Sequence, residues 1–365
     1  MARRVFVINP GSTSTKLALY RDTTLVFQRE LAHSREELAG FGSVAGQREF
    51  RMVRIRRVLA EEGVNPADMD AVAGRGGLLR PLVGGVYEVS DEMINDMLAA
   101  RYGEHACNLG AVLADELARE WNVPAFIVDP VVTDEIEDRA RLTGLPSVRR
   151  RSLFHALNQR GAARTVARRL GRTYGNADFL VIHMGGGVSI GAHRRGRVVD
   201  VVNALDGEGP FTPERTGSLP LLSVLDLLER GEHTVESLRR TVLRGGGMVA
   251  HMGTNDFREF EAMLDRGESG AALFFEAMAY FIARYAASLA PALVDRDGRI
   301  DVAAVILTGG LARSKRMVRE LTRLLRHLGP VEVVTGDEEM ASLAAGAIRA
   351  ITGRERARQY PSSQN

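Results

Sequence analysis

A short apolar run that ends in a small, hydroxyl-rich or glycine-rich turn and restarts as a second apolar run occurs twice in this chain. The first copy is Val5-Phe-Val-Ile-Asn-Pro-Gly-Ser-Thr-Ser-Thr-Lys16, continued by Leu17-Ala-Leu-Tyr20. The second is Leu180-Val-Ile-His-Met-Gly-Gly-Gly-Val-Ser-Ile190, 175 residues further on. Each predicts a strand, a tight turn and a returning strand, and each is followed by a third strand. The predicted triplets are 5–9, 15–20 and 24–31, then 179–183, 188–194 and 197–203. Few identities persist between the copies, so the repeat shows as organisation: Gly11 falls opposite Gly186 and Ser14 opposite Ser189. Later segments alternate helix and strand, with helices over 50–61, 155–170, 269–290, 313–328 and 339–351 and strands over 125–128, 301–307 and 331–334. This order predicts an α/β chain of two related halves, and the long Ala- and Phe-rich helix 269–290, apolar over much of its surface, is expected to cross the domain interior.

Composition bounds the function classes. The 365 residues are 45% hydrophobic and 26% charged, and 48 Lys and Arg face 46 Asp and Glu. That balance favours neither a nucleic-acid binder nor an acidic tail, and the 6% aromatic content does not interleave with a basic stripe. Arg149-Arg150-Arg151 reads as solvated surface. Cys107 is alone, which excludes an intrachain disulfide and a cysteine zinc site, and its apolar surroundings predict a buried thiol. No secretory h-region and no bilayer-length apolar run stand out, so a cytoplasmic protein is expected. The tail from Gly353 lacks apolar periodicity and is expected to be loosely held.

Glycine and hydroxyl turns at strand ends suit phosphate oxygens, because the backbone approaches closely and N–H groups point outward. The first turn lacks Walker A spacing and Gly185-Gly186-Gly187 lacks the dinucleotide fingerprint, so a split phosphate clamp is the expectation, with simple hairpins as the plain alternative. Asn9, Ser12, Ser14 and Lys16 line the first turn. Leu307-Thr-Gly-Gly310 adds a third strand end facing nucleotide through Gly309 and Gly310.

The chain resembles the acetokinase family of the sugar-kinase/actin-like ATPases, in particular its butyrate kinases and branched-chain fatty-acid kinases. The resemblance rests on Asn9–Lys16, Ala73-Gly-Arg-Gly-Gly-Leu-Leu-Arg-Pro81, Val128-Asp-Pro-Val-Val132 and Phe154-His-Ala-Leu-Asn-Gln159. It continues through His183–Gly187, Asp206-Gly-Glu-Gly-Pro-Phe211, Pro213-Glu-Arg-Thr-Gly217, Leu307–Gly310 and Gly336-Asp-Glu-Glu-Met340. It implies duplicated actin-like (ribonuclease H-like) domains with a central interdomain cleft. The expected division is 1–145, joined by a returning helix 340–352, and 146–339. It also implies reversible ATP-dependent phosphorylation of a carboxylate, here butyrate, to an acyl phosphate and ADP, with Mg²⁺ and a homo-oligomer.

The resemblance assigns Arg215 as the catalytic arginine, His183 and His155 as phosphoryl-facing groups, Asp129 and Glu339 as magnesium-positioning acids, and Asp206 as a loop-ordering residue. Glu338 competes with Glu339 for its place. Acetate kinases carry His-Gly-Thr-Ser-His where this chain has His155-Ala-Leu-Asn-Gln159, and Arg-Val-Val-His-Gly-Gly where it has Val72-Ala-Gly-Arg-Gly-Gly77. Arg75 is the candidate to take over from the arginine missing at Ala71. These departures point to the butyrate branch, with short branched acids as the nearest alternative. An ATPase interaction module and a sugar kinase are the competing classes. The first leaves the paired arginines unexplained, and the second requires a catalytic base and a hydroxyl-recognition set.

Overall fold

The computed structural model describes residues 2–203, 205–336 and 338–361. It divides the chain into two compact units, Met1–Asp134 with Asp337–Asn365, and Glu135–Gly336.

The first unit holds β1 (Arg4–Pro10), β2 (Ser14–Arg21), β3 (Thr24–Ala32), β4 (Ala71–Gly74), β5 (Val86–Glu88) and β6 (Ala125–Val128) in one sheet ordered β3-β2-β1-β4-β6-β5. β1, β2 and β3 form an antiparallel meander, β1, β4 and β6 run parallel, and β5 closes the edge antiparallel to β6. Every residue of β1 after Arg4 is buried, because helices cover both faces of the sheet, and this is why the strand reads as a continuous apolar run. On one face Phe6, Ile8 and Leu17 pack against Met52, Ile55 and Leu59 of the helix Arg48–Glu61 and Leu109, Leu113 and Leu117 of the helix Asn108–Trp121. The returning helix Glu338–Ile351 packs on β1, β4 and β6.

The second unit holds β7 (Asp178–Met184), β8 (Val188–Arg194), β9 (Arg197–Val202), β10 (Val302–Thr308) and β11 (Val331–Val334), ordered β11-β10-β7-β8-β9. The plan of the first sheet returns: a meander outward from the central strand, then two parallel strands on its other side. The helix Ala156–Arg169 covers one face through Ala162, Ala163 and Val166 against Phe179, Val181 and Ile306. The other face packs Leu180, Ile182, Ile190 and Leu307 against Phe260, Phe274, Met278 and Leu321.

Four local expectations change. The helix Ala271–Ser288 buries one face, Ala271, Phe274, Phe275, Met278, Ala279, Ile282, Ala283 and Ala286, and leaves Leu273 and Tyr280 exposed, so it lies along the core and does not cross it. The stretch Ala271–Leu293 is also, by length and composition, apolar enough to span a bilayer. Arg150 is not solvated surface: its guanidinium is half-buried and bridges Asp200 at 2.9 Å and Glu208 at 2.5 Å. The tail is tied down as far as its described residues go. Arg358 joins the backbone of Val86 and Glu88, and Tyr360 is buried with its hydroxyl donating to Asp96 at 2.8 Å. Backbone pairing with β5, which no periodicity announces, is what holds it.

Candidate active site

In the first unit the end of β1 enters a turn closed by the Gly11 N–H donating to the Ser14 carbonyl at 2.8 Å. Ser12 is exposed at its tip and Ser14 is half-buried at its return. Asn9 stands opposite Lys16 in the β1–β2 register, so the two side chains share one face of the sheet. Asn9 is buried and donates through Nδ2 to Glu339 Oε2 at 2.8 Å. Arg75 Nη1 reaches both Asn9 Oδ1 and Glu339 Oε2 at 3.3 Å. The Arg75 backbone is fixed by a close approach: a Cβ on Gly110 would lie 2.2 Å from the Arg75 carbonyl, and one on Gly74 would lie 2.1 Å from the Gly110 carbonyl. Asn9, Arg75 and Glu339, distant in sequence, therefore form one cluster. The side chain of Glu338, the competitor of Glu339, lies outside the described residues.

Asp129 directly follows β6. It is buried in the left-handed region at φ 41°, its Oδ1 accepts the Gly85 N–H at 2.8 Å, and its own N–H donates to the Gly85 carbonyl. A non-glycine residue held there carries backbone strain that the surrounding structure must impose. Among the described residues no three His, Cys, Asp or Glu side chains converge as a metal cage. Mg²⁺ needs only one or two carboxylates beside its waters and phosphate oxygens, so the carboxylates of Glu339 and Asp129 are chemically suited to it.

In the second unit the triple glycine joins β7 to β8, with the Gly185 N–H donating to the Gly187 carbonyl at 2.9 Å. None of the three uses a left-handed φ. Gly187 makes room for a side chain instead: a Cβ there would lie 2.1 Å from Arg215 Nη1, so the guanidinium rests directly on the turn. A Cβ on Gly186 would meet the Glu214 carboxylate at 3.2 Å. Thr212 sets this packing. Its hydroxyl donates to the Gly186 carbonyl at 2.6 Å and accepts the N–H groups of Glu214 and Arg215 at 3.2 and 3.0 Å. Burial lowers the basicity of Arg215; the Glu214 charge opposes that and Arg244 adds to it. Glu214 in turn accepts from Asn255 Nδ2 at 2.9 Å.

His183, next to last in β7, stacks on His155 with ring centroids 4.0 Å apart and 19° between planes. His155 Nδ1 meets Ser189 Oγ at 2.8 Å. Gly309 at the end of β10 has φ 90°, and a Cβ there would lie 2.4 Å from the Met184 carbonyl, so two strand ends abut beside the triple glycine. Gly310 has open space around it and no steric need for glycine. Asp206 accepts from Arg151 at 2.6 and 3.1 Å and from Asn203 Nδ2 at 2.8 Å, which fastens the loop after β9.

His183, His155, Gly187 and Arg215 thus gather at one strand end of the second unit, and Asn9, Arg75 and Glu339 at one strand end of the first. Sequence reasoning overlooked Thr212, Gln159 and Arg51. Arg51 is wholly buried behind the first turn and donates to the Ser14 carbonyl at 3.1 Å, Thr15 Oγ1 at 2.9 Å and Gln47 Oε1 at 2.9 and 3.2 Å. Its position next to Met52 on a helix whose inward face is otherwise apolar was the available signal.

Known proteins supply the frame. Residues 143–358 match the model of the acetokinase family. A protein called probable butyrate kinase from Maridesulfovibrio salexigens is 48% identical over 363 residues, covering 99% of this chain and all of that one. The solved acetate kinase of Porphyromonas gingivalis superposes with a TM-score of 0.75 at 20% identity, over 96% of this chain and 100% of that one. A propionate kinase from Francisella tularensis gives 0.71 at 16% identity, over 94% of this chain and 98% of that one. The architecture is that of the actin-like ATPases, and with near-complete coverage at this identity the chain belongs to the acetokinase family.

Proposed function

We propose that this chain is an ATP-dependent kinase of short-chain carboxylates whose preferred acceptor is butyrate, with short branched acids next. The observation that carries the reading is Arg215 laid on the Gly185–Gly187 turn beside the stacked His183 and His155. A carboxylate is ionised at neutral pH and needs no general base. One of its oxygens attacks the γ-phosphorus, a phosphorus–oxygen bond forms, the bond to the β-phosphate oxygen breaks, and its electron pair leaves with ADP. What the protein must supply is alignment of two anions and positive charge where oxygens crowd. Arg215 has the planar fork to bridge a carboxylate oxygen and the migrating phosphoryl group, and the histidines supply N–H donors to its oxygens. Backbone groups of Ser12–Ser14 and Gly185–Gly187, with Lys16, serve the nucleotide phosphates, and Gly309 and Gly310 its adenosine side. Asp206 orders the loop that leads to Arg215.

Glu339 and Asp129 are the residues that would hold Mg²⁺, which when bound neutralises phosphate charge. Arg75, already fixed between Asn9 and Glu339, is the candidate cation for the acceptor carboxylate. A cytoplasmic homo-oligomer completes the proposal. The lone buried Cys107, whose thiol burial pushes up to about 11, is consistent with a reduced compartment.

A panel of acetate, propionate, butyrate, valerate, isobutyrate and isovalerate, with ADP and acyl phosphate followed in parallel, tests the substrate. Butyrate or a small branched acid should exceed acetate in kcat/KM, since each covered methylene is worth about 0.8 kcal/mol. Acetate performing equally well would reject the chain-length assignment, and ADP without acyl phosphate would reject the acceptor chemistry.

A further inference from the structure

Behind His155 lies a chain of hydrogen bonds that none of the site assignments uses. Ser189, Gln159 and His193 are each wholly buried. Gln159 Nε2 lies 3.1 Å from the Ser189 carbonyl and 2.9 Å from Ser189 Oγ. A carbonyl only accepts, so that end of the Gln159 amide must be the NH₂. Its oxygen then faces His193 Nε2 at 3.1 Å, which must carry a proton, and His193 Nδ1 accepts from the Tyr174 hydroxyl at 2.9 Å. Ser189 Oγ accepts from Gln159 Nε2 and from the His155 backbone N–H at 3.3 Å, so both lone pairs are used and its own proton goes to His155 Nδ1 at 2.8 Å. Every side-chain donor in the relay points the same way, from Tyr174 toward His155.

Gly191 bears on the same feature. It lies inside β8, where no turn calls for glycine, yet a Cβ there would stand 2.4 Å from Gln159 Oε1 and 2.9 Å from His193 Nε2. The strand is left bare where the Gln159–His193 bond crosses it.

We propose that this relay fixes His155 as the neutral tautomer with its proton on Nε2, making Gln159 and His193 positioning residues for phosphoryl transfer. The catalytic half of the statement rests on the placement of His155 in the proposed reaction. The tautomer half does not. Which ring nitrogen carries the proton is set by the bond the other makes. With Nδ1 held as an acceptor, His155 keeps a donor for phosphoryl oxygens.

The test uses the full-length protein with ¹⁵N-labelled histidine, the His155 signals assigned by their loss in His155→Asn. Wild type should show a bare Nδ1 and a protonated Nε2. Gln159→Met empties one lone pair of Ser189 Oγ and lets it accept from Nδ1–H, so His155 should become a tautomer mixture. Its kcat should fall about tenfold with KM for ATP and acid nearly unchanged, as expected when the competent form becomes a minority. His193→Leu should act alike, and His193→Gln, which keeps a donor toward Gln159 Oε1, should restore both readouts. Gly191→Ala is an independent break of the same bond should Gln159→Met fail to fold. Persistence of the Nε2–H form in folded Gln159→Met or Gly191→Ala overturns the proposal, and so does a changed tautomer with unchanged kcat. Wild-type kcat in His155→Ala would instead defeat the placement of His155 in the reaction, and the spectra would still decide the relay.

Discussion

The hairpins β1–β2 and β7–β8 hold the same place in their sheets and are backed by opposite chemistry. Behind the first turn sits the Arg51 cation, donating to the Ser14 carbonyl, Thr15 and Gln47, and burial lowers its pKa to about 10. Behind the second sits a neutral chain through Ser189, Gln159 and His193, and the cation, Arg215, lies in front on Gly187. One fold plan thus tolerates a charge beneath the turn in one unit and a charge upon it in the other. A cation on the turn can touch reacting oxygens. One beneath it can only stiffen the backbone and bias its potential. Under the proposed reaction, the difference separates a residue placed to act on the chemistry from one that acts through the fold.

The largest expected effect follows from removing the cation that lies on the turn. Arg215→Ala should cut kcat in both directions by roughly two to four orders of magnitude, about 3–5 kcal/mol of transition-state stabilisation, while nucleotide affinity and folding hold. Lysine should restore only part, since it lacks the fork. Near-wild-type turnover of the folded alanine variant would move the role to Arg75.

Glycine substitutions sharpen the contrast within one turn. Gly187→Ala places a methyl against Arg215 and should lower kcat by up to about a hundredfold through misplacement alone, whereas Gly185→Ala meets only ordinary contacts and should remain close to wild type. Equal losses at both positions would show that the turn, and not the guanidinium resting on it, is what the substitution disturbs.

Removing the cation beneath the first turn should read out as stability. Arg51→Met leaves the Thr15 hydroxyl and the Ser14 carbonyl short of a donor and should cost about 1–3 kcal/mol in urea unfolding, with a smaller effect on kcat than Arg215→Ala. A kcat loss as large as that of Arg215→Ala, with stability unchanged, would erase the distinction.

The smallest effect is a pH slope. His33, buried with its Nε2 2.8 Å from Thr15 Oγ1, is held down to about 4, first by burial and then by the charges of Arg51 and Arg54. The unfolded chain takes up this proton near 6.5 and the folded chain only near 4, so between those values the unfolded state binds more protons. The stability contribution is full above pH 6.5 and lost as pH falls toward 4, by roughly 1 kcal/mol per unit. Urea unfolding at pH 7.5, 6.0 and 5.0 should show a shallower slope in His33→Asn than in wild type. Identical slopes would mean that His33 is not the titrating group.

Much of the fold is legible in the sequence. The strand ranges of both meanders and the helices over 50–61 and 155–170 lie within a few residues of the observed elements, because burial between two helical layers demands continuous apolar strands. The candidate cluster was legible in part. Arg215, His183 and His155 stood in recognisable segments, whereas Thr212 and Gln159 looked like ordinary polar residues beside them. Arg150 and the tail were misread for a related reason. A charged or aperiodic segment reads as solvated unless its partners, here Asp200, Glu208 and the β5 backbone, are known.

The sequence by itself determined the two strand–turn–strand units, the α/β order and the family. The first two follow from the spacing of apolar residues and turn formers along the chain, which is a local property, and the family from the short motifs that stand at the turns. Only the tertiary structure decided which polar groups meet: Asn9 with Glu339, Arg51 with Ser14 and Thr15, Gln159 with Ser189 and His193, Arg215 with Gly187. Those pairings depend on strand register and helix packing set elsewhere in the chain. Hydrophobic periodicity specifies which face a residue occupies, but a hydrogen bond is won or lost within a few tenths of an ångström, a precision that only the packed whole supplies.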